Sequence, residues 1–182
     1  MDNKTKKLLS ECIVLSIFLF AIRYFALVPN SLYDYVSATG EVVSATIFFM
    51  CIYCKWIWKY NPFEKYPRLM GDYIGTIDYC YNDKEEKKEM RATIKQTLLS
   101  IHIQLITDEI TSNTIVGNLV EENDGFVLYY TYMTNPKSRF SKENPIQYGS
   151  CRLLANKKDC LEGIYWTSSK TIGDIKFKRI IK

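Results

Sequence analysis

The sequence offers little of the chemistry on which enzymes depend. His102 is the only histidine in 182 residues, which excludes multi-histidine metal sites and makes a serine or cysteine triad hard to assemble. The phosphate-binding patterns G-x-x-x-x-G-K-[ST] and G-x-G-x-x-G are absent, as is the nucleophile motif G-x-S-x-G. His102 could serve as a single base or be a partly buried structural residue. We therefore expect a binding module with no catalytic residues, no cofactor and no metal.

The sequence also lacks cysteines spaced for disulfide bonds and a large excess of basic residues in its second part. The six cysteines show no paired spacing of a disulfide framework, which indicates a reducing compartment. The C-x-x-C of Cys51 and Cys54 lies within an apolar run, where two small polarizable side chains explain it better than redox or metal chemistry. Residues 61–182 carry 18 basic and 16 acidic side chains. This balance argues against a nucleic-acid polymer as partner.

What the chain does have is a long apolar segment, Cys12–Tyr60. Two apolar runs, roughly Leu9–Val28 and Val42–Trp58, make up most of it and are separated by the turn-forming Pro29-Asn30-Ser31. Each run is about the ~20 residues that a helix needs to cross a bilayer. We predict two N-terminal transmembrane α-helices in residues 1–60, followed by a β domain in residues 61–182.

Lysines flank the two runs and set their orientation. Lys4, Lys6 and Lys7 precede the first run, Lys55 and Lys59 close the second among aromatic residues, and the loop between has no lysine or arginine. The positive-inside rule then places both chain termini and the β domain in the cytoplasm. The alternative is a soluble helical hairpin packed on the β domain, which would leave the belt of aromatic residues and lysines without a reason.

Arg23 and Glu41 place opposite charges in or beside the apolar runs. Each could reach the membrane interface with its long side chain. Both should lie near the outer leaflet, so the sharper hypothesis is that they form an ion pair, within one chain or between two.

Beyond residue 61 the sequence alternates with period two and is rich in tyrosine and threonine, a pattern typical of strands. We predict an all-β, antiparallel, small closed barrel of about eight strands. The Arg91–Thr107 run is too long for one straight strand, so it either bends near Lys95-Gln96 or spans two sides of the barrel. The charged run Asp83–Glu89 is predicted to be a solvated loop. The strand candidates are Leu69–Tyr81, Arg91–Thr107, Thr111–Val120, Phe126–Thr134, Gln147–Leu154, Cys160–Ser168 and Asp174–Ile180.

Two stretches combine aromatic rings with hydroxyl groups. In Phe126–Thr134, Tyr130 and Tyr132 share one face of the strand, and Tyr165–Thr171 adds aromatics, hydroxyls and one cation. Aromatic rings stack on bases, and hydroxyls and lysines bind phosphates, so the composition suits a small nucleotide. These residue types are also simply good strand formers, and composition does not separate the two interpretations.

Over nearly its whole length the chain resembles a family of membrane-bound effectors of bacterial anti-phage signalling by cyclic oligonucleotides (CBASS). That family has two transmembrane helices before a minimal eight-stranded β-barrel. The family often has a basic residue in the loop after Y-x-T, where this chain has only Lys170. The resemblance is carried by the two-run anchor and, in order, by Leu69–Gly75, Ile94–Thr97, Leu128–Tyr132 leading to Asn135-Pro136, Asn144–Gly149, and Leu161–Thr167 through Thr171–Ile175.

The resemblance implies a receptor for a cyclic dinucleotide that oligomerises in the bacterial inner membrane and disrupts the bilayer, with no reaction catalysed. Joining the matched motifs to residue chemistry gives a hypothetical ligand site. A membrane-tethered, lipocalin-like binder of an apolar ligand is the alternative, and a membrane-tethered enzyme is a third. In the hypothetical site the rings of Tyr73, Tyr130, Tyr132 and Tyr165 line the pocket, Gln96, Thr97, Asn135, Thr167 and Thr171 bond base edges or phosphates, and Lys170 neutralises phosphate.

Overall fold

The computed structural model describes residues 3–81, 84–123, 125–142, 144–157 and 159–180. The chain divides into two compact units, Met1–Asn61 and Pro62–Lys182. The first unit is helical and the second is built from strands.

The helical unit has helix α1 over Asn3–Ala26 and helix α2 over Leu32–Ile52. A π-helical turn, Tyr53–Ile57, and a 3₁₀ turn, Trp58–Tyr60, continue α2. The break predicted at Pro29–Ser31 is confirmed, because the Ser31 and Asp34 side chains form a capping box that starts α2. The apolar helical stretches of 23 and 29 residues are long enough to cross a membrane.

Polar side chains join the two helices. Arg23 Nε donates to Glu41 Oε2 over 2.7 Å, and the hydroxyls of Ser16 and Thr46 are 3.1 Å apart. The pairing hypothesis for Arg23 and Glu41 is therefore confirmed, with both partners in the same chain. Interhelical hydrogen bonds of this kind stabilise helix pairs in apolar surroundings.

The second unit is a closed barrel of eight antiparallel strands in sequence order, in which β8 pairs with β1. Closure leaves no unpaired sheet edge, as predicted. The strands are β1 Gly71–Tyr81, β2 Lys84–Gln96, β3 Ile101–Ile106, β4 Ile110–Glu122, β5 Gly125–Pro136, β6 Tyr148–Lys157, β7 Cys160–Thr167 and β8 Ile172–Arg179.

Two strand predictions need correction or completion. The Arg91–Thr107 run belongs to two strands, because a turn stabilised by the Thr97 and Ser100 hydroxyls separates β2 from β3. The solvated loop predicted at Asp83–Glu89 is wrong from Lys84 onwards, since those residues pair with β1 as part of β2; Asp83 lies outside the described residues. A mixed-charge run is compatible with a strand when cross-strand neighbours have opposite charge, as Asp78 and Lys87 do.

Because successive strands alternate in direction, the barrel has two rims. We call lower rim the end where β1 begins and β8 ends, and upper rim the end where β1 ends and β8 begins. The turns after β2, β4 and β6 lie at the lower rim, and those after β3, β5 and β7 lie at the upper rim. Alternate residues point inward and form one core, illustrated by the buried Ile101, Ile103 and Leu105 of β3.

Candidate functional site

Three of the tyrosines singled out in the sequence lie together inside the barrel. Tyr130 and Tyr132 are buried on the inward face of β5, with ring centroids 5.8 Å apart. Tyr165 is buried on the inward face of β7 and belongs to the same core. The period-two alternation places Tyr130 and Tyr132 on one face of the strand without showing which way that face points. In the structure it faces the interior of the barrel.

Glycines on the neighbouring strands make room for these rings. Tyr132 pairs across the strands with Gly149, where an added Cβ would come within 2.4 Å of the Tyr132 ring and hydroxyl. Tyr165 pairs in the same way with Gly173, where a Cβ would be 2.8 Å from its ring. The interior is thus narrow at these positions, and the tyrosines fit because the facing residue has no side chain.

Burial keeps the polar groups of this interior neutral. It raises the pKa of the Tyr130 and Tyr132 hydroxyls well above the usual range for tyrosine. It also raises the pKa of the Cys151 thiol, opposite Tyr130 on β6, to about 12. At physiological pH these groups are therefore uncharged, so they can donate hydrogen bonds and do not repel an anion. A thiol held neutral is also a poor nucleophile, so Cys151 is unsuited to covalent catalysis.

Two buried hydroxyls of the interior have no nitrogen or oxygen as a hydrogen-bonding partner among the described residues. They are Tyr130 Oη, which lies beside the weakly accepting Cys151 sulfur, and Ser112 Oγ of β4. An unsatisfied buried polar group costs about 1–3 kcal/mol, so native proteins rarely leave one without a reason. Ser112 pairs across the strands with Thr134, two residues from Tyr132 on the same inward face, so both hydroxyls belong to the middle and upper interior.

Tyr73 and Gln96 lie at the other end of the barrel. Tyr73 Oη donates to the Leu69 carbonyl over 2.8 Å. Gln96 Oε1 accepts from the Leu69 amide at 2.7 Å, and its Nε2 donates to the Pro67 carbonyl at 3.0 Å. Thr97 is bonded within the β2–β3 turn. Tyr73 and Gln96 thus hold the segment before β1 across the lower rim. The structure brings none of the three residues near Tyr132 or Tyr165.

The other four predicted residues lie at the upper rim. Thr167 and Thr171 are half-buried and close the β7–β8 turn, in which the Thr171 amide donates to Thr167 Oγ1 at 3.3 Å. Lys170 is exposed in the same turn and has a left-handed backbone, with φ of 62°. Asn135 is half-buried but has the outward parity of β5, because its neighbour Thr134 points inward.

A charged group at the upper rim is not among the residues that the sequence motifs single out. Lys88 of β2 has the same parity as the buried Met90 and Ala92, and its ammonium lies 2.7 Å from Glu109 Oε2 in the β3–β4 turn. The period-two spacing from Lys88 through Met90 and Ala92 was a usable signal, but the charged run around Lys88 obscured it. Among the described residues no group of three or more His, Cys, Asp or Glu side chains is placed to hold a metal ion.

A groove of about 500 Å³ lies on the outer face of β1 and β8. It offers cations but no aromatic ring on which a base could stack, and its Lys176 is already 3.0 Å from Glu162. The barrel interior is therefore the better candidate site. The groove is lined by Ile74, Thr76, Lys87, Lys176, Lys178, Arg179 and Ile180.

The barrel coincides with a known family. The model of the family described as Cap15, cyclic dinucleotide receptor domain, matches residues 64–179. The chain belongs to this family. It is also similar to CD-NTase-associated protein 15 of Staphylococcus schleiferi, with 44% identity over 126 residues that cover 69% of this chain and 68% of that protein. A redesigned β-barrel of known structure covers 62% of this chain and 92% of its own at 12% identity, but its TM-score of 0.46 is too low to carry an argument.

Family membership confirms the resemblance to CBASS effectors drawn from the sequence motifs. The family is one of anti-phage effectors with a cyclic dinucleotide receptor domain, and it is not an enzyme family. The two long apolar helices that precede the barrel indicate a membrane-associated protein.

Proposed function

We propose that this chain is an anti-phage effector that binds a cyclic dinucleotide in the upper half of its barrel and then disrupts the bacterial inner membrane. In this proposal residues 61–182 form the cytosolic receptor and residues 1–60 form the transmembrane effector. The match of the receptor-family model to residues 64–179 carries the proposal. It also favours a cyclic dinucleotide over the apolar ligand of a lipocalin-like protein.

The residue chemistry of the upper interior supports this ligand class. A cyclic dinucleotide presents two bases, which need flat apolar surfaces and hydrogen bonds, and two phosphates, which need cations or donors. Tyr130, Tyr132 and Tyr165 supply the rings. The Tyr130 and Ser112 hydroxyls, which have no nitrogen or oxygen partner among the described residues, supply further hydrogen-bonding groups. Lys170 at the rim adds a cation. Tyr73, Gln96 and Thr97 are left out of the proposed site because their polar groups are already bonded at the lower rim.

The proposed output is assembly. A ligand that binds the assembled form more tightly than the single chain shifts the population toward assembly, and no reaction is needed. The predicted orientation, with both termini in the cytoplasm, exposes the receptor to a messenger made in the cytosol. The transmembrane helices that assembly brings together would then disrupt the bilayer.

Binding is tested by isothermal titration calorimetry on the full chain in detergent micelles, with cyclic di-AMP, cyclic di-GMP and cyclic UMP-AMP as probes. We expect at least one probe to bind with a stoichiometry of one per barrel. Failure of all three to bind, or equal binding of the linear dinucleotides, would contradict the proposal. Ligand-dependent assembly is then followed by light scattering of the same sample.

The Arg23–Glu41 pair offers a test of the effector part. Its side chains are bonded at 2.7 Å within one chain, so assembly could exchange them between chains. We expect Glu41→Gln to change ligand-induced assembly and toxicity in cells while leaving calorimetric binding intact. Assembly and toxicity equal to the wild type would rule out a role for this pair.

A further inference from the structure

Lys88 occupies an unusual position for a lysine of a β-barrel. Its neighbour across the β1–β2 pair is Ile77, an inward residue packed against the core. The pairing of β2 with β3 ends at Arg91 and Ile106, so Lys88 lies beyond the end of β3 at the upper rim. A lysine with inward parity at that place directs its ammonium to the opening of the barrel.

The position that an anion would take beside Lys88 is occupied by a carboxylate of the same chain. Glu109 Oε2 accepts from Lys88 Nζ at 2.7 Å and from Asn144 Nδ2 at 3.2 Å. An ammonium and an amide are the kinds of donor that hold a phosphate oxygen. The side chains of Lys88 and Glu109 are each 32% exposed, so a ligand can reach the pair. The two donors therefore form an anion site, and in this structure the Glu109 carboxylate of the same chain occupies it.

We propose that Lys88 is a phosphate-binding residue of the receptor and that Glu109 is an internal counter-ion which the ligand displaces. This inference rests on the proposed function, because it takes the cyclic dinucleotide as the anion. The sequence motifs assign no role to either residue. The bases would lie toward the tyrosines of the upper interior, and one phosphate would bridge Lys88 and Asn144 at the rim.

Displacement of Glu109 has a structural consequence. Glu109 joins the β3–β4 turn to the β5–β6 loop, through its side chain to Asn144 and through its backbone carbonyl to the Lys137 amide at 2.9 Å. A phosphate that takes over Asn144 removes the side-chain part of this connection. The counter-ion thus holds the β5–β6 loop in the ligand-free protein and lowers the affinity for weakly bound anions, since each must compete with Glu109.

The experiment compares neighbouring lysines of one strand. Lys87 precedes Lys88 but points outward, where it lies 3.6 Å from Asp78. Lys88→Gln, Lys87→Gln and Glu109→Gln are titrated as full chains in detergent with cyclic di-AMP, cyclic di-GMP and cyclic UMP-AMP. We expect Lys88→Gln to weaken binding of the best probe by about tenfold or more, and Lys87→Gln to change it by less than about twofold.

Glu109→Gln removes the competing charge, so we expect it to tighten binding about threefold or more, and to lose this gain in combination with Lys88→Gln. Misfolding cannot imitate such a gain. Weaker binding by Glu109→Gln, or equal losses for Lys87→Gln and Lys88→Gln, would overturn the inference while leaving the proposed function standing. A wild-type chain that binds no probe would instead refute the proposed function itself. A loss confined to Lys87→Gln would place the anion in the outer groove and also overturn the inference.

Discussion

The two rims of the barrel differ in how far their polar groups are hydrogen-bonded within the chain. At the lower rim, Arg179 donates to the carbonyls of Arg68, at 3.1 Å, and of Met70, and its guanidinium lies 5.5 Å from the centre of the Tyr73 ring. With the Tyr73 and Gln96 bonds to the segment before β1, this rim is closed by interactions within the chain. Among the described residues, the middle and upper interior instead contains two buried hydroxyls without a nitrogen or oxygen partner, and a lysine paired with a partly exposed carboxylate.

This contrast separates residues that hold the fold from residues that are available to a ligand. Substitutions at the lower rim should change the free energy of unfolding and leave the affinity of the folded protein unchanged. Substitutions in the middle and upper interior should change the affinity for the ligand and leave the free energy of unfolding nearly unchanged. We expect the two sets to behave independently, as distant sites without shared partners usually do.

The largest effect is expected for Arg179→Met. Methionine retains apolar bulk but leaves two carbonyls at the lower rim without their donor, so we expect the free energy of unfolding to fall by about 2–3 kcal/mol. Denaturant unfolding of the full chain in detergent measures this change. The exposed Arg91 of β2 provides the matched control, Arg91→Met, for which a change within about 0.5 kcal/mol is expected. A loss of ligand affinity in folded Arg179→Met would contradict the division between rims.

A smaller loss of stability is expected for Tyr73→Phe. This change removes only the hydroxyl that donates to the Leu69 carbonyl, and we expect it to lower the free energy of unfolding by about 1 kcal/mol. Calorimetric affinity for the best cyclic dinucleotide should equal that of the wild type. If affinity falls with unchanged stability, Tyr73 belongs to the ligand site, as the sequence motifs had implied.

Tyr130→Phe is the corresponding change in the middle of the barrel, and there we expect affinity to fall without a loss of stability. Removing a buried hydroxyl whose sole acceptor among the described residues is the weak Cys151 sulfur should leave stability unchanged or raise it by up to about 1 kcal/mol. Affinity should fall several-fold, because the ligand loses a bond that the protein alone does not make. Clear destabilisation together with unchanged affinity would show that the hydroxyl serves the core and no ligand.

Features that depend on residues close together in the sequence could be predicted, whereas contacts between residues far apart along the chain could not. Alternation and apolar runs are local, so the two helices, the closed barrel and the shared face of Tyr130 and Tyr132 could be predicted from them. The grouping of site residues depends on which strands meet at which rim. Thr167, Thr171 and Tyr132 meet at the upper rim only because β5 to β8 pair in sequence, whereas Gln96 and Thr97 lie at the opposite rim for the same reason.

Lys88 shows a second limit of sequence reasoning. Its charged neighbours predict solvent and obscure its period-two spacing from Met90 and Ala92, and the register with β1 establishes that it points inward. Its partner Glu109 is 21 residues away along the chain, in the β3–β4 turn. A contact between a strand and a distant turn leaves no periodic signal, so the sequence could not pair Lys88 with Glu109.

The smallest effect is expected for Lys170→Asn at the upper rim. Lys170 is exposed and has a left-handed backbone, a conformation that asparagine tolerates better than most residues, so stability should not fall. Loss of an exposed cation near a phosphate should weaken binding only a few-fold, and the difference should shrink at high salt because exposed charges are screened. Calorimetry at low and high salt measures both effects, with the exposed Lys95→Asn near the lower rim as control. If Lys170→Asn and Lys95→Asn weaken binding equally, the effect reflects net charge alone, and the rim position of Lys170 contributes nothing specific to recognition.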